Sequence, residues 1–304
     1  MAMKRCLLAL IVIALACSPA FSQRKTVAEE KARFQMLLRW ARTGDVPSRH
    51  TAHEEMVKFD QWIDAELLKR VGKARDAERQ LFWTVLYDRR CRKALEPAYQ
   101  RLPGAIKQCR DAQIAVHKIL QLRQRANRAE RKGDAGAAQK LTDEANALRR
   151  SVPWNEITLG NEVSILVGFC VEFGHEREFM KLMQLAIDSS MDDPLAKGLK
   201  SRRWRTYRDK PLPGGTDMWN TVYTPVWEAV QKLSRRPLDQ KRVGTARDRF
   251  FRHFEQLAKK KDLGPNQVAA LQNFERARAA MLKTDTHREE TEEENEDGTG
   301  IIRK

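Results

Sequence analysis

The feature that most constrains this chain is the spacing of its apolar residues. They recur three and four apart along nearly the whole length, without the extended alternation of β-branched residues between tight turns that marks a sheet. Phe34, Leu37, Leu38 and Ala41 follow the capping-box sequence Thr26-Val27-Ala28-Glu29. There a hydroxyl, and a carboxylate three residues later, satisfy the unpaired N–H groups of a helix start. Gly44 closes that segment. Thr51-Ala52-His53-Glu54 predicts a second start, with Val57, Trp62, Ile63 and Leu67 at helical spacing and Gly72 as the stop. Further helices are expected over about 75–96, 104–132, 135–150, 160–173, 176–189, 217–234, 238–261 and 265–283.

The fold class that follows is all-α, as an irregular helical bundle or as stacked helical hairpins. Gly133–Ala145 and Gly174–Ala186 share a frame: glycine, then Ala138 or Phe179, Lys140-Leu141 or Lys181-Leu182, then Ala145 or Ala186. This frame resembles the second helix of tetratricopeptide repeats, and the resemblance implies a solenoid of hairpins. The irregular bundle is preferred, because the two copies start 41 residues apart, whereas that family repeats every 34.

Five segments are expected. Residues 1–22 read as a secretory signal peptide: Lys4 and Arg5, an apolar run from Cys6 to Cys17, then Ala20-Phe21-Ser22 before the cleavage point. The run rises only about 18 Å as a helix, short of a bilayer core of about 30 Å. Within it, Ala14-Leu15-Ala16-Cys17 resembles the lipobox of bacterial lipoproteins, which would instead place a lipid anchor on Cys17. Residues 23–191 form an N-terminal helical region. Residues 192–215, with Pro194, Pro211, Pro213, Gly198, Gly214 and Gly215, form an irregular basic connection. Residues 216–284 resume helices, and residues 285–304 are an acidic tail without an apolar face, expected to be disordered. The next most apolar stretch, Val163–Val171, is too short to span a membrane. The expected location is outside the cytoplasm: periplasmic, extracellular or on the envelope.

Charge then sets the class of partner. The chain carries 57 Lys and Arg against 41 Asp and Glu, a net charge of +16. Lys4 and Arg5 leave with the signal peptide, and the tail holds eight acids against three bases, so residues 23–284 carry +19. The densest patch is Lys197–Lys210, where Lys200, Arg202, Arg203, Arg205 and Arg208 interleave with Trp204 and Tyr207 and the one acid is Asp209. Guanidinium groups grip phosphate, carboxylate or sulfate in pairs, and aromatic rings stack on bases or sugars. The partner expected there is an anionic polymer, a lipid headgroup or an acidic protein surface, with nucleic acid as the alternative. Basic clusters also fall on helices, at Arg123, Arg125, Arg128 and Arg131, at Arg235 and Arg236, and at Lys259–Lys261. The acidic tail is expected to fold back on the basic loop and compete with the external partner.

Motifs for chemistry are sparse. His50 and His53 stand three apart beside Glu54 and Glu55, the weak beginnings of a metal site. Cys91 and Cys109 lie six residues outside Pro97 and Pro103 respectively. If those prolines bound the turn of a helical hairpin, the two thiols stand level and within disulfide reach. His117, His253 and the stripe Trp219-Tyr223-Trp227 read as packing, and Cys170 as part of an apolar core. No phosphate loop, nucleophile elbow or zinc-like Cys/His spacing occurs, so no cofactor is expected. The function expected is a non-enzymatic binding or structural role. A hydrolase or metal enzyme with dispersed catalytic residues is the remaining alternative.

Overall fold

A computed structural model describes residues 27–151, 156–191 and 217–296. Among the described residues it forms eleven α-helices, one 3₁₀ turn and no strand, so the fold is all-α. In chain order the helices are α1 (Val27–Thr43), α2 (Val46–Val57), α3 (Trp62–Val71), α4 (Asp76–Asp88), α5 (Leu95–Arg131), α6 (Ala135–Ser151), α7 (Glu156–Phe173), α8 (Glu176–Met191), α9 (Asp217–Ser234), α10 (Gln240–Lys259) and α11 (Pro265–Glu296). The 3₁₀ turn, Arg92–Ala94, precedes α5. The chain divides into two compact units, residues 1–63 and 64–304.

In the first unit α1 packs on α2, burying Phe34, Leu37, Leu38, Ala41, Ala52 and Met56. The expected single helix from Thr51 to Gly72 is instead two. Asp45 is the N-cap of α2, its carboxylate accepting from Ser48 N–H at 2.9 Å, so Thr51 and His50 lie inside the helix. The helix then breaks after Val57. Glu30, buried on α1, accepts from Asp60 N–H at 3.3 Å and from Trp62 Nε1 at 2.6 Å, which holds the break in place. The Trp62 ring packs edge-on against Phe34 and stacks on Phe59.

In the second unit α7 packs against α4, α5 and α9. Its Val163, Leu166, Phe169 and Cys170 are fully buried, and Phe169 meets Trp83 and Tyr87 of α4 edge-on. A side chain at Gly168 would meet the Tyr87 ring at 3.0 Å, so that glycine sets how closely α4 and α7 approach. α9 lies among α5, α7, α8 and α11. Its Trp227, 1% exposed, packs into Phe250 and Phe254 of α10, and Phe274 of α11 stacks on Phe254. Each such ring buried contributes about 1.5–3 kcal/mol from area alone.

The helical hairpin expected between Pro97 and Pro103 is not formed. The chain runs through both prolines in one 37-residue helix, α5, with Pro103 inside it. Pro97 falls in the first turn, where no N–H partner is required; Pro103 removes one backbone hydrogen bond without ending the helix. The break lies earlier. Cys91 N–H donates to Leu86 O at 3.0 Å and Arg90 N–H to Tyr87 O at 2.9 Å, the paired bonds of a Schellman end, with Arg90 at φ 53°.

At the far end, α11 extends past the expected Lys283 to Glu296, and its last buried apolar residue is Met281. The acidic segment thus opens as helix without an apolar face. Its first acid, Asp285, takes two hydrogen bonds from Arg247 Nη1 of α10, at 3.0 and 3.3 Å.

Candidate anion-binding surface

The longest helix supplies the clearest basic surface. The C-terminal half of α5 pairs with α6 as an antiparallel hairpin, and the turn between them is fully specified. Asp134 N–H donates to Ala129 O and Gly133 N–H to Glu130 O, with Gly133 at φ 78°; a side chain at that φ is strained, which selects glycine. Asp134 Oδ1 then accepts from Ala137 N–H at 2.9 Å and caps α6. Ile119, Leu122 and Ala145 form a small buried cluster between the two helices, with Leu141 and Leu148 against it.

Those apolar positions fix which residues face water. At 100° per residue, Lys118, Gln121, Arg125, Arg128 and the C-cap residue Lys132, spaced three, four, three and four, line up on the flank of α5 beside Ile119, Leu122 and Ala126. All five are exposed, and the stripe rises about 21 Å. None of its four cations makes an ion pair among the described residues, and no acid lies on the stripe. Arg128 and Lys132 also complement the negative end of the helix dipole; Lys118 and Arg125 lie too far back for that. A second exposed face runs along α10 through Lys241, Arg249, Arg252 and Lys259, opposite Val243, Phe250, Phe254 and Leu257. It is diluted by the acids Asp248 and Glu255, the latter 3.8 Å from Arg278.

The sequence-predicted loop residues Lys200, Arg202, Arg203, Trp204, Arg205, Tyr207 and Arg208 lie outside the described residues, as does Cys17. Of the helical clusters, Arg236 is engaged, donating to Gly174 O at 3.1 Å across the α7–α8 turn. Lys259, Lys260 and Lys261 are exposed.

Cys91, Cys109 and Cys170 are buried thiols and no disulfide joins them. With no turn between the prolines, about 21 Å of helix separates Leu95 from Cys109, and Cys91 lies before that helix begins. Burial, aided by Asp64, raises the Cys91 thiol pKa, and burial pushes Cys170 up to about 12. Both stay protonated and unreactive at neutral pH.

His50 is exposed and lies 3.3 Å from Glu54, one turn along α2, rather than beside His53 and a third ligand. Among the described residues no three His, Cys, Asp or Glu side chains converge as a metal-binding group. His117 faces Gln121 at 3.0 Å, and Tyr223 and Trp227 are core. His253 reaches the wholly buried Ser190, Nε2 to Oγ 2.6 Å. The Ser190 hydroxyl lies 2.7 Å from Ile187 O, an acceptor only, so with its one proton donated there Nε2–H donates to Ser190. A histidine in that tautomer orients a serine without taking its proton, and this pair is packing rather than a catalytic couple.

Two buried features escaped the sequence reading. The N-terminal turn of α8 is held by Glu178, which accepts from His175 N–H at 3.0 Å and from Arg177. Burial opposes its ionisation, but those donors prevail and hold its carboxyl below the usual range. The other is Glu162 of α7, fully buried between Arg79 and Arg101. Residues so far apart in sequence carry no spacing signal. No known protein family, curated protein sequence or solved structure matches the chain.

Proposed function

We propose that this is an exported, non-enzymatic binding protein of the cell envelope or extracellular space that holds an extended acidic polymer along its basic helical faces. The observation that carries the reading is the Lys118-Gln121-Arg125-Arg128-Lys132 stripe, exposed, free of acids and without ion partners among the described residues. A linear array of unneutralised cations attracts a linear polyanion by releasing its condensed counterions. Export rests on Lys4, Arg5, the apolar run Cys6–Cys17 and Ala20-Phe21-Ser22. The basic-aromatic loop around Trp204 adds cations and stacking rings to the same class of partner.

The test is binding of fluorescently labelled heparin, followed by anisotropy as salt is raised. For a polymer as charged as duplex DNA, four cation contacts correspond to about 100-fold weaker binding between about 50 and 200 mM salt. The double substitution Arg125→Gln/Arg128→Gln should remove about half of that salt dependence. Binding that ignores salt, or survives the double substitution unchanged, overturns the reading. A short DNA duplex that displaces heparin at equal charge would point to nucleic acid instead.

A further inference from the structure

The basic stripe leaves unexplained a second cationic group inside the helical body. Arg79 of α4 grips Glu162 with two bonds, Nε to Oε1 at 2.8 Å and Nη2 to Oε2 at 3.0 Å. Arg101 of α5 approaches the same carboxylate through Nε at 2.9 Å and Nη2 at 3.5 Å. Glu162 is inaccessible to solvent, whereas the Arg79 and Arg101 side chains stay 14% and 24% exposed. One carboxylate between two guanidiniums leaves the group at +1, although a single arginine would neutralise the buried charge. Arg79 Nη1 also donates to Ala74 O, and Arg101 Nη2 to Gln108 Oε1. Arg101 Nη1 keeps both of its N–H groups without a hydrogen-bond partner among the described residues.

These side chains border a cavity of about 380 Å³, which Leu68, Val71, Gly72, Trp83, Pro97 and Gln100 also line. Trp83 is 2% exposed, and its indole Nε1–H, itself buried, has no acceptor among the described residues. The ion triad alone would tie α4, α5 and α7 together with no open volume beside it. The excess charge and the space coincide in one place, with Leu68, Val71 and Pro97 among the walls.

We propose that this cavity binds a small organic monoanion, a carboxylate with a short apolar tail. Its carboxylate takes the spare Arg101 N–H groups and cancels the +1, and the tail covers Leu68, Val71 and Pro97. A dianion such as phosphate overshoots the charge and leaves the apolar walls bare.

The experiment is calorimetric titration of the whole protein with hexanoate, using hexanamide and inorganic phosphate as comparison probes. Hexanoate should bind with a Kd of about 1 mM or tighter, and both comparison probes at least about tenfold more weakly. Arg101→Gln leaves Glu162 paired with Arg79 and should weaken hexanoate at least about tenfold. Leu68→Trp fills the cavity without touching the triad and should abolish binding; it decides the matter if Arg101→Gln does not fold. No hexanoate binding up to about 10 mM, equal binding of hexanamide, or retained binding in either folded variant overturns the proposal.

Discussion

His253 is surrounded by groups that disfavour its charged form. Burial is the largest influence, the cations Lys260 and Arg249 add to it, and Asp188 opposes them weakly, so its pKa lies below the usual histidine value. The unfolded chain, with a histidine titrating near about 6.5, therefore takes up the proton first as pH falls. Above that pH both states are neutral and His253 adds no pH dependence. Below it stability declines, and the decline levels off once the lower folded pKa is passed. His253→Gln keeps an N–H donor for Ser190 and removes the titration. Urea unfolding at about pH 7.5 and pH 5 should show the natural protein losing more stability than the variant across that interval. Parallel losses would mean that His253 takes up its proton equally readily in the folded and unfolded chain.

At the scale of the element, the turns decide where sequence reasoning succeeded. Helices bounded by ordinary signals were legible: α6 and α8 start within a residue of their expected positions, because glycine and a polar cap precede each. The α4 end was not, because its left-handed position is held by Arg90 instead of glycine. Nor was the course of α5, where packing of Leu102, Ala105 and Ile106 into the core outweighs one bond lost at Pro103. The basic stripe was half legible: its arginines were visible as a cluster within the expected 104–132 helix, but which of them face water depended on how the next helix packs over Ile119 and Leu122. The Arg79–Glu162–Arg101 group was invisible, since its members are 61 and 83 residues apart and charged residues are common everywhere. The shared frame at Gly133 and Gly174 hides two different devices. Gly133 supplies a positive φ, whereas Gly174 supplies space: a Cβ there would collide with the Cys170 carbonyl oxygen and stand 2.9 Å from Glu178 Cβ. Gly174→Ala should therefore cost about 2 kcal/mol or more by forcing α7 and α8 apart. Gly136→Ala, with nothing nearer than 3.8 Å, should be neutral or slightly stabilising by helix propensity. Thermal unfolding followed by circular dichroism separates the two; equal melting points would refute the close-approach account.

For the whole molecule the separation of charge along the chain matters more than the net +16. The body from 23 to 284 carries +19, and the tail after it carries eight acids. The sign of that arrangement favours the tail as a competitor for the cations that an external polyanion would use, because the two are covalently linked and need no concentration to meet. The fold complicates the obvious truncation. Asp285 is the partner of Arg247, which is only 7% exposed, so cutting after Thr284 leaves a buried guanidinium without that carboxylate and lowers stability for a reason unrelated to competition. Cutting after His287 keeps the pair and removes seven of the eight acids. That shorter truncation should leave the melting temperature nearly unchanged and tighten heparin binding several-fold at about 50 mM salt, with the gain vanishing at about 300 mM as exposed charges are screened. Truncation after Thr284 should show a similar gain together with a lower melting temperature. Heparin affinity at low salt unchanged by removal of residues 288–304 would show that the tail does not compete for the cations of the body.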